Sequence, residues 1–115
     1  MYFADEPEHI TMLRDSLRRF NQQEVSREQR REWQTAQAWP RDVFAKLAGM
    51  GVCGLTVAEE FGGQGQDWYA ATAVIEELSR AGTFLAGPYI QCAFYGGGNI
   101  SGSGSASQKA DLLPK

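Results

Sequence analysis

Residues 57–65 read VAEEFGGQG: a β-branched approach, two carboxylates, a phenylalanine and then three glycines in four positions. Such a stretch is either a loop that cradles phosphate or a turn between packed elements. Against the dinucleotide fingerprint G-x-G-x-x-G, Gly63 and Gly65 fill the first two glycine positions, but the third is Trp68. That third glycine lets a helix and a strand pack closely, and an indole cannot stand in its place. Glu59 and Glu60 lie just before the loop and would repel a pyrophosphate. No G-K-[ST] ending follows, so a P-loop is excluded as well. The expectation is a turn with positive φ at its glycines.

On the N-terminal side, Trp39-Pro40 opens a helix, because the residue before proline is pushed to extended geometry and proline suits the first turn. Val43, Phe44, Leu47 and Ala48 form its stripe, and Gly49 or Gly51 stops it. VCGLTVA (52–58) is then a buried extended connector or a brief strand, which periodicity cannot separate. On the C-terminal side Asp67 caps a helix over DWYAATAVIEELSRAG, with Trp68, Ala71, Ile75 and Leu78 on one face and Gly82 as the stop. Ala70, Ala71 and Ala73 allow another helix to approach closely.

Farther out, Ile10, Leu13, Leu17 and Phe20 mark an amphipathic helix that Asp5 and Glu8 would cap. NQQEVSREQRREWQTAQA (21–38) is polar and poorly periodic and reads as a frayed helix end and a surface loop. Its REQRREW portion alternates charge sign, as solvated faces do. YIQCAFY (89–95) is almost continuously apolar, which predicts a buried helix from Pro88 to Tyr95. The glycines of GGGNISGSGS (96–105) should fray or stop that helix. Ser105 and Gln108 have capping-box spacing for a last helix, and Pro114 ends it. The fold class is therefore all-α: about five helices and a short connector at 52–58, in one domain over 1–115.

A formal net charge of -3 gives no basic footprint for nucleic acid. No apolar run approaches a membrane span and no secretory pattern opens the chain, so a cytoplasmic location is expected, and the Asn99-Ile100-Ser101 sequon reads as coincidence. Cys53 and Cys92 make no metal-ligand spacing and are expected as two reduced buried thiols; with His9 as the single histidine, no metal site is expected. The adjacent pairs Glu59-Glu60 and Glu76-Glu77 point in different directions on a helix and read as solvated. No catalytic constellation is expected in the chain.

Five motifs then fall in one order: the arginine-rich helix LRDSLRRF, the Trp-Pro helix start and the Glu-Glu-Phe-Gly-Gly turn of WPRDVFAKLAGMGVCGLTVAEEFGGQGQD, the helix EELSRAG, and GSASQKADLLPK. Together they resemble the N-terminal helical domain of the acyl-CoA dehydrogenase family over essentially the full chain. Two departures stand out: Ala58 replaces the usual proline before the glutamates, and GGGNISGSG replaces a stretch that is commonly more helical. The resemblance implies an oxidoreductase that introduces an α,β double bond into an acyl-CoA thioester and passes hydride to FAD and electrons to an electron-transfer flavoprotein. It places the catalytic glutamate and the flavin in a β-domain and C-terminal bundle beyond these residues, so FAD is not expected on this segment alone, and it implies a homo-oligomer. It also implies a substrate-pocket wall on the helix around 89–95, formed by Ile90, Gln91, Phe94 and Tyr95, with Gln91 at the closed end. Relatives on the same fold include acyl-CoA oxidases and flavin-dependent monooxygenases. From a different class, the same fold could serve as a non-catalytic partner-binding module.

Overall fold

The computed structural model describes residues 5–115, so residues 1–4 of the expected domain lie outside the described part. Among the described residues there is no strand, and the chain is organised as six helices, α1 to α6.

Helix α1 (Glu8–Glu24) buries Ile10, Arg14, Leu17 and Phe20 on one face. The expected Asp5 cap is not used: Pro7 precedes the first turn without a side-chain cap. Glu6 takes over the start of the helix instead, accepting from Arg14 Nε at 2.7 Å and from Thr11 Oγ1 at 2.8 Å. Proline at the boundary costs little there, because its missing N–H would have no intrahelical partner anyway.

The polar stretch expected as a loop is a helix, α2 (Arg27–Ala36). Ser26 Oγ accepts from the Gln29 amide at 3.2 Å while Gln29 Oε1 accepts from the Ser26 amide at 2.8 Å. This reciprocal cap satisfies two end groups at once and stabilises a helix that buries no residue of its own. Its Trp33 stands edge-on to Phe84, with ring centroids 5.5 Å apart.

Helix α3 (Arg41–Gly49) buries Val43 and Leu47 and stops at the left-handed Gly51, φ +83°. The connector that follows is not extended. Val52–Gly54 forms a 3₁₀ turn, and the Gly54 carbonyl accepts from the Val57 amide at 3.1 Å and the Gln64 amide at 2.8 Å. One carbonyl drawing in two later amides folds the segment back on itself, with Thr56 and Val57 buried inside.

Helix α4 (Trp68–Ala81) begins as expected: Asp67 Oδ1 accepts from the Ala70 amide at 2.9 Å, and Gly82 follows the last turn. Ala70 and Ala73 lie against Ile10 of α1. Val74 and Leu78 join Leu17, Phe20, Leu47, Leu85 and Tyr89 in the main core.

Helix α5 differs most from its expected 88–95. It runs over 83–103, as an α-helical stretch Thr83–Tyr89, a π-helical stretch Ile90–Gly98 and a final α-helical turn Asn99–Ser103. Pro88 sits inside it and has no N–H to give the Phe84 carbonyl. The indole Nε1 of Trp39 donates to that carbonyl instead, at 3.1 Å. The glycine run stays helical, and two of its glycines lie close against neighbouring side chains. A Cβ at Gly97 would stand 3.1 Å from Thr56 Oγ1, and one at Gly98 would stand 3.2 Å from the Trp68 ring. The close approach lets Thr56 Oγ1 donate to the Ala93 carbonyl at 2.6 Å. Helix α6 (Ala106–Leu112) starts with the expected Ser105–Gln108 capping box. The whole is a slab of 44 × 38 × 19 Å, about two helices thick.

Candidate functional site

The glycine loop is the first place where the sequence allowed chemistry. A phosphate cradle needs backbone N–H groups pointing at the ligand. Here the amides of Gly62, Gly63, Gln64 and Gly65 donate to the carbonyls of Glu59, Ala58, Gly54 and Val57, at 2.8 to 3.1 Å. All four are consumed within the loop. A Cβ at Gly63 would overlap the Val57 carbonyl, so glycine there serves close packing, while Gly62 and Gly65 take the positive φ of the turn, at +86° and +96°. The loop shapes the fold and leaves no cradle for pyrophosphate.

The four pocket residues expected from the sequence all lie on the π-helical stretch of α5. A π-helical turn re-aims side chains relative to the α-helix that carries it, and such turns recur at functional sites. Gln91 is exposed and lines a hollow of about 550 Å³ with Trp39, Phe44, Pro88 and Cys92. Ile90 and Phe94 are half-buried, Phe94 edge-on to Trp68 at 5.5 Å, and Tyr95 is 64% exposed. Among the described residues that hollow gathers Gln91 and not the other three. The expected burial of 88–95 therefore does not extend to Gln91, which is exposed. The sequence also missed Trp39 and Phe44, which lie some fifty residues earlier (roughly, by their numbering) and carry no local signal of it.

On the far side of α4, Glu77 overturns the expectation of a solvated acid. Its side chain is fully buried and accepts from Arg14 Nη1 at 3.2 Å and from Arg18 Nε and Nη2 at 3.1 and 3.2 Å. Arg14 Nη1 also reaches Glu76 at 3.1 Å. Burial opposes the charge on Arg14, but the carboxylates of Glu6 and Glu77 outweigh it and hold the guanidinium pKa above its ordinary value. The same contacts hold the Glu6 carboxyl below its ordinary range, chiefly through Arg14. This cluster ties α1 to α4, and its charges are spent on each other.

A second hollow, of about 470 Å³, lies between the glycine loop (Phe61 to Gln64), the π-helical stretch and the C-terminal residues after α6, with Cys53 and Cys92 both in its wall. Among the described residues no group of histidines, cysteines and carboxylates could hold a metal ion, and no helix is long and apolar enough to cross a membrane.

The family model described as "Acyl-CoA dehydrogenase, N-terminal domain" matches residues 7–115. The chain belongs to the acyl-CoA dehydrogenase N-terminal domain family. Its fold, all-α with the glycine turn leading into a capped helix, is that expected for such a domain. Among curated proteins, this acyl-CoA dehydrogenase domain is 36% identical over 94% of its length to (2S)-methylsuccinyl-CoA dehydrogenase of Cereibacter sphaeroides, covering 20% of that protein. It is 38% identical over 57% of its length to the mitochondrial long-chain specific acyl-CoA dehydrogenase of Sus scrofa, covering 15% of it. It is 32% identical over 76% of its length to 3-(aryl)acrylate reductase of Clostridium sporogenes, covering 23% of it. The domain thus spans about a fifth of the length of the relatives it matches. No solved structure matches it.

Proposed function

We propose that this domain belongs to an FAD-dependent oxidoreductase that forms or reduces the α,β double bond of acyl-CoA thioesters, and that it supplies one wall of the acyl pocket. The observation that carries the reading is Gln91: a polar side chain turned outward by the π-helical stretch, into a hollow otherwise walled by Trp39, Phe44, Pro88 and Cys92. Ile90, Phe94 and Tyr95 flank it on the same stretch. An aromatic and proline wall suits an apolar acyl tail, and an amide at its end either shortens the tail that fits or hydrogen-bonds an oxygenated one. The relatives' names span a methylsuccinyl thioester, long-chain acyl groups and an arylacrylate, so the acyl end is where such proteins differ.

The glycine loop does not fit a flavin pyrophosphate, since its amides are consumed within the loop. When bound elsewhere in the complete enzyme, the flavin supplies hydride transfer, while these residues position and exclude water from the acyl tail. Electron-transfer flavoprotein as acceptor, assembly with further copies of the chain, and a cytoplasmic location are part of the same proposal.

The test is Gln91→Ala in the full-length protein, with kcat/KM measured across acyl-CoA thioesters of increasing length and with a terminal carboxylate. Loss of the amide should shift the ratio between neighbouring substrates about tenfold, since one methylene in an apolar pocket is worth roughly 1–3 kcal/mol. An unchanged preference would remove Gln91 from the pocket.

A further inference from the structure

Cys53 and Cys92 are 39 positions apart in sequence (92 minus 53) and share one cavity wall. Two hydrogen bonds fix that neighbourhood from either side. Tyr89 Oη donates to the Val52 carbonyl at 3.0 Å, and Thr56 Oγ1 donates to the Ala93 carbonyl at 2.6 Å. The first bond is one residue from Cys53 and the second one residue from Cys92. The 3₁₀ turn Val52–Gly54 is thereby pinned along the π-helical stretch Ile90–Gly98, with the two thiols between the pins. Their environments differ: Cys92 is exposed, whereas Cys53 is half-buried against the core.

We propose that Cys53 and Cys92 form a hydroperoxide-responsive dithiol, in which Cys92 is the attacking thiol and Cys53 the resolving one, closing to an intramolecular disulfide.

Each thiol has the other as its strongest electrostatic neighbour. A hydrogen bond from Cys53 lowers Cys92 to about 7, so that near neutral pH a large share of it is thiolate. Cys53 is pushed well up, first by that interaction and then by burial. The asymmetry assigns the order of steps. The Cys92 thiolate attacks one peroxide oxygen, the O–O bond breaks, and the departing alkoxide or hydroxide takes up a proton. Cys92 is left as a sulfenic acid. The negative charge that opposed ionisation of Cys53 is then gone, and Cys53 loses its proton and attacks the Cys92 sulfur. Hydroxide leaves and combines with that proton as water. Two thiols give up two electrons to one hydroperoxide, and the products are a disulfide, an alcohol or water, and a further water. The bond would tie the 3₁₀ turn to α5 at the residue next to Gln91.

The experiment uses the full-length protein, fully reduced and then exposed to a stoichiometric amount of hydrogen peroxide. Intact mass should fall by two hydrogen atoms per chain, and peptide mapping should find Cys53 linked to Cys92 within one chain. In Cys53→Ala, Cys92 should stop at a sulfenic acid that a 1,3-dione probe captures. Its alkylation by iodoacetamide at neutral pH should also slow by about fivefold, because its hydrogen-bond donor is lost. In Cys92→Ala no intrachain link should form, and Cys53, half-buried, should be alkylated more slowly than Cys92 is in the unaltered protein. Two free thiols remaining after peroxide treatment, links only between chains, or an unchanged alkylation rate in Cys53→Ala would each overturn the proposal.

Discussion

At the scale of single residues, a buried carboxylate decides more than any surface charge. Glu77 is fully covered and its charge is balanced by Arg14 and Arg18. Replacing Arg14 with alanine removes a guanidinium whose side chain is only 4% exposed, and it should lower unfolding free energy by about 3 kcal/mol or more in urea titrations. By contrast Lys46→Ala removes an exposed partner of Glu24 and should cost under about 1 kcal/mol. Asp67 gives the pH dependence. The Ala70 amide first, and His9 at 3.0 Å second, hold its carboxyl below the ordinary range. A depressed carboxyl contributes stability above its unfolded pKa, about 4, and that contribution is lost as pH falls through the lower folded value. Asp67→Asn keeps an acceptor for Ala70 but not the charge. Its deficit, about half a kcal/mol at neutral pH, should shrink toward zero as pH drops below about 4. Much of this was legible in the sequence. Asp67 was readable as a cap, and Glu77 stands at the spacing of Ala70, Ala73 and Val74, which marks the buried face. It was misread because charge was weighed above position.

At the scale of elements, α5 shows how a helix survives residues that should break it. Pro88 removes a donor, and Trp39 supplies another from outside the helix. Trp39→Phe keeps the ring but leaves the Phe84 carbonyl without that bond, which should cost about 1 kcal/mol by thermal or urea unfolding. Gly97→Ala should also destabilise, by about 1–3 kcal/mol, although alanine is the better helix former. The added carbon would meet Thr56 Oγ1 and disturb its bond to Ala93. A destabilisation of this sign in a helix is the signature of close packing rather than of propensity. Glycine counts predicted a break because the partner surface, Thr56 and Trp68, is far away in sequence. The Ser26–Gln29 box is the one local signal for α2, a helix that has no apolar period and so reads as a loop. Where an apolar period met a start or stop signal, at α3 and α4, the elements were readable, and at α6 the capping box alone sufficed.

At the scale of the molecule, the slab is thin and carries large apolar side chains on its surface. Trp39, Trp68, Tyr69 and Tyr95 are each more than two-fifths exposed, between 43% and 64%. Expressed as these 115 residues, the chain should self-associate, and sedimentation velocity should show species heavier than the monomer that dissociate on dilution. A sharp monomer at all concentrations would count against that expectation. The family was legible because its signature is a fold signature, five motifs set by turns and caps. The stretch 89–95 was legible as a helix, but not which of its residues reach the hollow beside Trp39 and Phe44.

The thinness of the slab, 19 Å, has one more consequence. A partition of that depth transmits pressure: a side chain enlarged on one face displaces the single layer behind it and is felt on the other. Thr56, through the Ala93 carbonyl, and Tyr89, through the Val52 carbonyl, anchor α5 two residues to either side of Gln91, so the position of that side chain is tied to the packed turn behind it.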